Sequence, residues 1–194
     1  MYAYLQGKFT HKTPALVHLE VNGIGYEVHI SLHTYSQIHQ LQEGRLYTYL
    51  QIKEDAHTLF GFAEPGEKEL FTQLLGVSGI GAATARMMLS NMKPSEVCNA
   101  ISQGNVKLLE SIKGIGKKTA ERLVLELRDK ISKSSVPFNL TAPAGNSLEQ
   151  DALNALIALG IARNLAENAI KKVNQNEPGI SQLEDLIKKA LRAI

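Results

Sequence analysis

Residues Ser111–Arg122 read SIKGIGKKTAER, a Gly-x-Gly turn followed by two lysines and a helix-forming run. A nucleotide-binding P-loop and a hairpin that grips nucleic-acid backbone both begin in this way. The P-loop reading fails on spacing. It requires Gly, four residues and then Gly-Lys-Ser/Thr, so that amides cradle phosphates and a hydroxyl meets magnesium. Here Gly116 and Lys117 are followed by Lys118, the leading glycine falls on Ser111, and the preceding NVKLLESI reads as helix, not strand. ATP binding by this chain is therefore not expected.

The hairpin reading gains support from a repeat. Shifted by thirty-five residues, LLGVSGIGAATARMML lies over LESIKGIGKKTAERLVL. Leu74 falls on Leu109, Gly79 on Gly114, Gly81 on Gly116, Thr84 on Thr119 and Ala85 on Ala120. Apolar character matches at Val77/Ile112, Ile80/Ile115, Met88/Leu123 and Leu89/Val124. One Gly-Ile-Gly is weak evidence, but two in the same register between apolar-periodic segments mark a repeated structural unit.

The physics of the unit follows from its residues. Glycine takes positive φ at little cost, so the link between two helices can be very tight. The second helix starts just beyond it, and its first N–H groups have no intrahelical partner while the helix dipole adds positive charge. Such an end suits a phosphate, and contacts of this kind read backbone rather than base sequence. The plainer alternative, a glycine turn joining two packed helices, does not account for the recurrence or for Lys117 and Lys118.

Charge is distributed unevenly over the 194 residues. Residues 1–63 hold four basic and five acidic groups, 64–133 eleven and eight, and 134–194 six of each. The basic excess thus coincides with the two hairpins, as phosphate contact requires. Cys98 is the sole cysteine, so no intrachain disulfide forms, and a buried thiol is expected. All six histidines precede residue 58 without metal-ligand spacing. The start MYAYLQGKF lacks a basic, apolar leader and no apolar run reaches membrane-spanning length, so a cytoplasmic chain without membrane contact is expected.

Period-two, β-rich segments fill residues 1–63: YAYLQGKFTH, ALVHLEV, GYEVHIS, LYTYLQIK and HTLFGF. Five short strands fit a small OB-fold barrel, with LHTYSQIHQLQEG as a short helix or irregular connection. Residues 64–131 turn helical and carry the two hairpins. Residues 132–146, SKSSVPFNLTAPAGN, read as a flexible linker. Residues 147–194 hold three helices, with capping boxes at Ser147–Gln150 and Ser181–Glu184, and such a tethered module suits partner docking. The expected fold class is multidomain α+β: an OB-fold barrel, a central all-α domain with two helix-hairpin-helix motifs, and a three-helix, UBA-like module.

In this order of parts, and in the segments EDAHTLFGF, GVSGIGAATA, LLESIKGIGKKTAERL and ALGI…ALRAI, the whole chain resembles the RuvA family, the Holliday-junction-binding subunits of the RuvAB branch-migration complex. The resemblance implies a homotetramer that holds a four-way junction open, one or two tetramers per junction, in recombination, DNA repair and the SOS response. It implies minor-groove backbone contacts from the amides around Gly79, Gly81, Gly114 and Gly116, with Lys117, Lys118, Thr119 and Arg122 in the same site. Family members often carry a lysine after the first Gly-x-Gly; Ala82 and Ala83 stand here, and Arg86 is the compensating candidate. The match further implies an acidic pin at Glu54 and Asp55, which in water alone read as ordinary turn residues. It implies docking of a RuvB AAA+ ATPase on Leu156, Leu159, Ile161 and Leu191, with Ile161 after Gly160 expected to be the most exposed. It implies no cofactor, and leaves open whether the RuvC resolvase joins.

Two other classes compete. A helix-hairpin-helix glycosylase or lyase needs a catalytic Asp in a loop past the hairpin, whereas the first Asp after Gly116 is Asp129, in a helical run. A single-strand-binding OB-fold needs exposed aromatics for base stacking. Tyr26, Tyr47 and Tyr49 lie in alternating strands and are expected to be core instead.

Overall fold

A computed structural model of the chain describes residues 2–133, 148–177, 180 and 182–193. Ser147, Ser181 and all but the first two residues of the expected linker lie outside them. The chain divides into two compact units, Met1–Leu140 and Thr141–Ile194.

The first unit begins with a closed barrel of β1 (Tyr4–Thr13), β2 (Leu16–Val21), β3 (Ile24–Ile30), β4 (Glu43–Ile52) and β5 (His57–Phe62), ordered β1-β2-β3-β5-β4 around the wall. All pairs are antiparallel except β3 with β5. That is the OB-fold expected from the strand count. Asn22 and Gly23, both at positive φ, make the tight turn between β2 and β3. A short helix, α1 (Leu32–Ile38), follows β3; its N-cap Ser31 accepts a hydrogen bond from the N–H of Thr34. Alternate residues, among them Val17, Leu19, Val28, Ile30 and Leu46, fill the barrel. Tyr26, Tyr47 and Tyr49 are half-buried, between the core and surface readings.

Five helices follow: α2 (Pro65–Leu75), α3 (Ala82–Asn91), α4 (Pro94–Ser102), α5 (Val106–Glu110) and α6 (Lys117–Lys133). The barrel and these helices, read separately in the sequence, share one core. Phe60 and Phe62 of β5 pack on Phe71 of α2 with ring centroids 5.2 and 4.8 Å apart, and Tyr49 meets Phe71 edge-on at 5.5 Å. Strand β5 is therefore buried on both faces, which explains its unbroken apolar run Leu59–Phe62. Cys98 is free and buried on α4, and desolvation pushes its thiol up to about 12, in keeping with a packing role.

A polar joint also fastens α2 to the barrel. The carboxylate of Glu67 is buried and accepts from the hydroxyls of Ser31 and, at 2.6 Å, Thr34, both fully buried. Thr34 Oγ1 in turn accepts from the N–H of Ala63 at 3.2 Å. Burial raises the Glu67 pKa to about 7, although the hydroxyls favour the charged form.

The second unit packs α7 (Leu148–Ala158), α8 (Arg163–Asn176) and α9 (Leu183–Ala193) around Ala152, Leu153, Leu156, Ala166, Ile170, Leu186 and neighbours. It is the expected three-helix module.

Candidate nucleic-acid interface

The two Gly-x-Gly segments fold alike and share three matching backbone bonds. In the first, Val77 N–H donates to Leu74 O at 3.1 Å, Ile80 N–H to Val77 O at 3.1 Å and Ala85 N–H to Gly81 O at 2.9 Å. The same bonds thirty-five residues on join Ile112 to Leu109, Ile115 to Ile112 and Ala120 to Gly116, at 3.3, 3.0 and 3.0 Å. Val77, Ile80, Ile112 and Ile115 are buried in one core, which fixes each turn from beneath. Gly79 and Gly114 both have φ of +94°, a conformation an L side chain rarely adopts, so the first glycine of each turn is dictated by backbone geometry.

The hairpins face one another across a local two-fold relation. A Cβ built on Gly79 would lie 3.7 Å from Oγ1 of Thr119, and one on Gly114 would lie 4.0 Å from Cγ2 of Thr84. Each threonine of the repeat thus sits over the opposite turn. This assigns Thr119 a packing place between the hairpins, beside any contact it makes with a ligand. It also sets the N-termini of α3 and α6 side by side. Gly81 caps α3 without a side-chain hydrogen bond, so the first-turn amides of α3 remain for an outside acceptor. A Cβ at Gly81 or Gly116 would meet nothing within 4 Å, so both turns are open to close approach.

Charge separates the two hairpins. Lys117, Lys118 and Arg122 are exposed at the start of α6, and Lys113, which the sequence reading passed over, is exposed beside Gly114. At the first hairpin Ala83 is exposed where Lys118 has its match, whereas Ala82, the match of Lys117, is buried. Arg86 lies one turn further along α3. Its Nη1 donates to Ala15 O at 3.2 Å and to Nδ1 of His29 at 3.0 Å, which ties α3 to the barrel. Ser90 Oγ adds a second tie by accepting from the N–H of Leu32 at 3.1 Å. Glu54 and Asp55 are exposed at the tip of the β4–β5 hairpin, where the N–H of Lys53 donates to Ala56 O at 2.9 Å. Among the described residues neither carboxylate has an ion pair.

Sequence models of known families cover nearly all of the chain. The RuvA N-terminal domain matches residues 1–61, a SAM-like helix-hairpin-helix tandem 71–129, and the RuvA C-terminal domain 147–194. The Holliday junction branch migration complex subunit RuvA of Cytophaga hutchinsonii is 45% identical over 99% of both chains. The proteins of that name from Christiangramia forsetii and Bacteroides fragilis are 44% and 39% identical over the full length of both. The chain belongs to the RuvA family.

Within this RuvA-family chain, the four residues assigned to partner docking fall in different places. Leu156 is fully buried in the core of the second unit and cannot present its side chain to a partner. Ile161 is half-buried against the same core, contrary to the expectation that it is the most exposed. The reason is the end of α7. Gly160, at φ +89°, donates to Ile157 O at 2.9 Å and Ile161 donates to Leu156 O at 3.1 Å, the two bonds of a Schellman motif. That motif turns the following apolar residue back on to the helix's last turn. Leu159 and Leu191 are exposed, at 62% and 43%, and Leu165 is exposed as well. Asp129 stands on the surface of α6 and not in a loop, so the glycosylase reading lacks its catalytic residue.

Proposed function

We propose that this chain binds four-way DNA junctions as the structure-selective, non-catalytic subunit of a branch-migration complex whose ATPase is a separate RuvB-type AAA+ partner. The observation that carries this reading is the pair of facing hairpins, each setting a helix N-terminus beside an open turn. Such donors fit phosphates of a duplex arm and ignore base identity. The reading includes a homotetramer in the cytoplasm, four protomers on four arms; it is supported by the relatives named above, which are called subunits of a Holliday junction branch migration complex.

Glu54 and Asp55 act by repulsion in this scheme. Two carboxylates at the tip of a hairpin, without an ion pair among the described residues, disfavour close approach of phosphates, which keeps crossover strands apart. A gel-shift series with four-way, linear duplex and single-stranded DNA tests the function. Junction binding should be the tightest, with no preference among base sequences, and equal binding to all three would overturn the reading. In the same assay Glu54→Gln with Asp55→Asn should raise duplex binding without weakening the junction complex; a weaker junction complex would refute the repulsive role.

Leu159 is the docking residue the burial pattern favours. It projects beyond the last residue of α7 and contributes little to the module's core. Leu159→Asp should leave junction binding and helix content unchanged while reducing stimulation of the partner ATPase at least tenfold. Leu156→Ala should instead unfold the small module, since an apolar core truncation costs about 2–5 kcal/mol. Full ATPase stimulation by a folded Leu159→Asp chain would move the docking surface elsewhere.

A further inference from the structure

Between the barrel and the start of α3 lies a cleft of about 310 Å³. His29, Gln51, Lys53, Thr58 and Arg86 supply its polar walls, the backbone of Gly81–Ala83 closes one side, and none of the lining residues is acidic. Two cations therefore converge on a space with no carboxylate of its own. Arg86 is held ready. Both of its bonds within the protein use Nη1. An arginine only donates, so Nδ1 of His29 accepts and the ring proton sits on Nε2. Burial, followed by the charge of Arg86, lowers the His29 pKa, which keeps the ring in that neutral form. Nε and Nη2 of Arg86 have no partner among the described residues, and an arginine fork fits phosphate oxygens in pairs. Lys53 is exposed and unpaired among the described residues.

The position of the cleft says which phosphate it takes. Lys53 directly precedes the Glu54–Asp55 turn, and Gly81 is the N-cap of α3 in the first hairpin. The cleft thus spans the ground between the projecting acidic turn and the hairpin that lacks surface lysines. We propose that it seats one backbone phosphate beside the crossover of the junction, gripped by Arg86 and Lys53, and so returns to the first hairpin the cation missing at Ala83. This rests on the junction-binding reading above and adds a contact that a linear duplex does not reach in the wild-type chain, because Glu54 and Asp55 repel a continuous duplex whereas a crossover brings backbone up to the acidic turn.

The test is the salt dependence of binding by the full chain. Lys53→Gln removes a surface charge without breaking a bond of the fold. It should flatten the log–log slope on a four-way junction by about 0.9 for each protomer engaged and leave the slope on linear duplex unchanged. Arg86→Lys keeps the charge but loses the fork, so the slope should hold while junction affinity falls severalfold. Lys118→Gln, on the second hairpin, should flatten both slopes and serves as the reference. A wild-type junction slope for Lys53→Gln while Lys118→Gln flattens normally would overturn the cleft and leave the junction reading standing. Equal flattening on junction and duplex would also overturn it, because long-range charge alone would account for that. If inorganic phosphate saturates the histidine ring resonances of the DNA-free protein while the Lys53→Gln slopes stay at wild type, the cleft is a small-anion site and the proposal fails. A wild-type chain with no preference for junctions would remove this inference together with the function on which it rests.

Discussion

Replacing Glu67 by Gln should make the first unit more stable at pH 8 and no more stable at pH 4.5. The reason is the cost of ionising a carboxyl group that is 1% exposed. Burial raises its pKa from 4.5 to about 7 in the folded chain. Between those values the folded state holds a proton that the unfolded state has released. Stability contributed by this group therefore falls as pH rises through that window, and is constant above about 7. At about 1.4 kcal/mol per pH unit, the loss comes to about 3 kcal/mol. Gln resembles the protonated acid: one oxygen accepts a hydroxyl and one N–H donates to the other. Glu67→Ala differs, because it strips Ser31 and Thr34 of their acceptor, and each buried hydroxyl left unpaired costs about 1–3 kcal/mol. Its deficit against wild type should accordingly be largest near pH 4.5 and shrink by about 3 kcal/mol by pH 8. Urea unfolding followed by tyrosine emission is the natural measurement, since all six tyrosines lie in residues 2–49 and the chain has no tryptophan. Comparing variants at each pH cancels titration of His29 and His33, whose pKa values are lowered mainly by burial. Equal stability of Gln and wild type at pH 8 would show that Glu67 is not held against its charge.

Glu67 also marks the limit of what the sequence tells. In GEKELFTQLLG nothing local sets Glu67 apart from any other acid in the first turn of a helix. Only the packing of α2 on the barrel buries it, and neither Ser31 nor Thr34 announces itself as its partner, thirty-six and thirty-three residues away. The repeat is the opposite case. Its turn glycines and apolar positions answer to local rules, so the hairpins could be read before any tertiary contact was known. What the repeat did not reveal is that Thr84 and Thr119 cross over to cover each other's turns, since a one-dimensional register carries no information on facing. The barrel was legible from alternation and strand count, whereas the double burial of β5 depends on Phe71, beyond the barrel's end. In the C-terminal module, leucine and isoleucine at positions 156–161 all look alike. The Schellman motif at Gly160 separates them: it tucks Ile161 inward and leaves Leu159 outside. Lys53 is not legible in the sequence, where a lone lysine in a turn is common; only the fold sets it on the same cleft as Arg86, thirty-three residues later.

The double variant Lys117→Gln, Lys118→Gln should give the largest loss of DNA binding, and its size should count the protomers on the junction. Both lysines are exposed at the start of α6, on the hairpin that carries the surface charge. If each contacts one phosphate, removing both should flatten the log–log salt slope by about 1.8 per engaged protomer. Four protomers on four arms then give a change of about 7, and a single protomer about 2. Neither lysine is buried, so thermal unfolding should be unchanged. The gain-of-function counterpart is Ala83→Lys, at the exposed match of Lys118, which should steepen the slope by about 0.9 per protomer and tighten duplex and junction alike. Ala82→Lys, at the buried match of Lys117, should instead destabilise the fold, because the new ammonium group would enter the core beneath α3. If the double variant kept the wild-type slope, neither lysine would contact a phosphate, and the second hairpin would hold DNA through its backbone amides and its remaining exposed cations, Lys113 and Arg122.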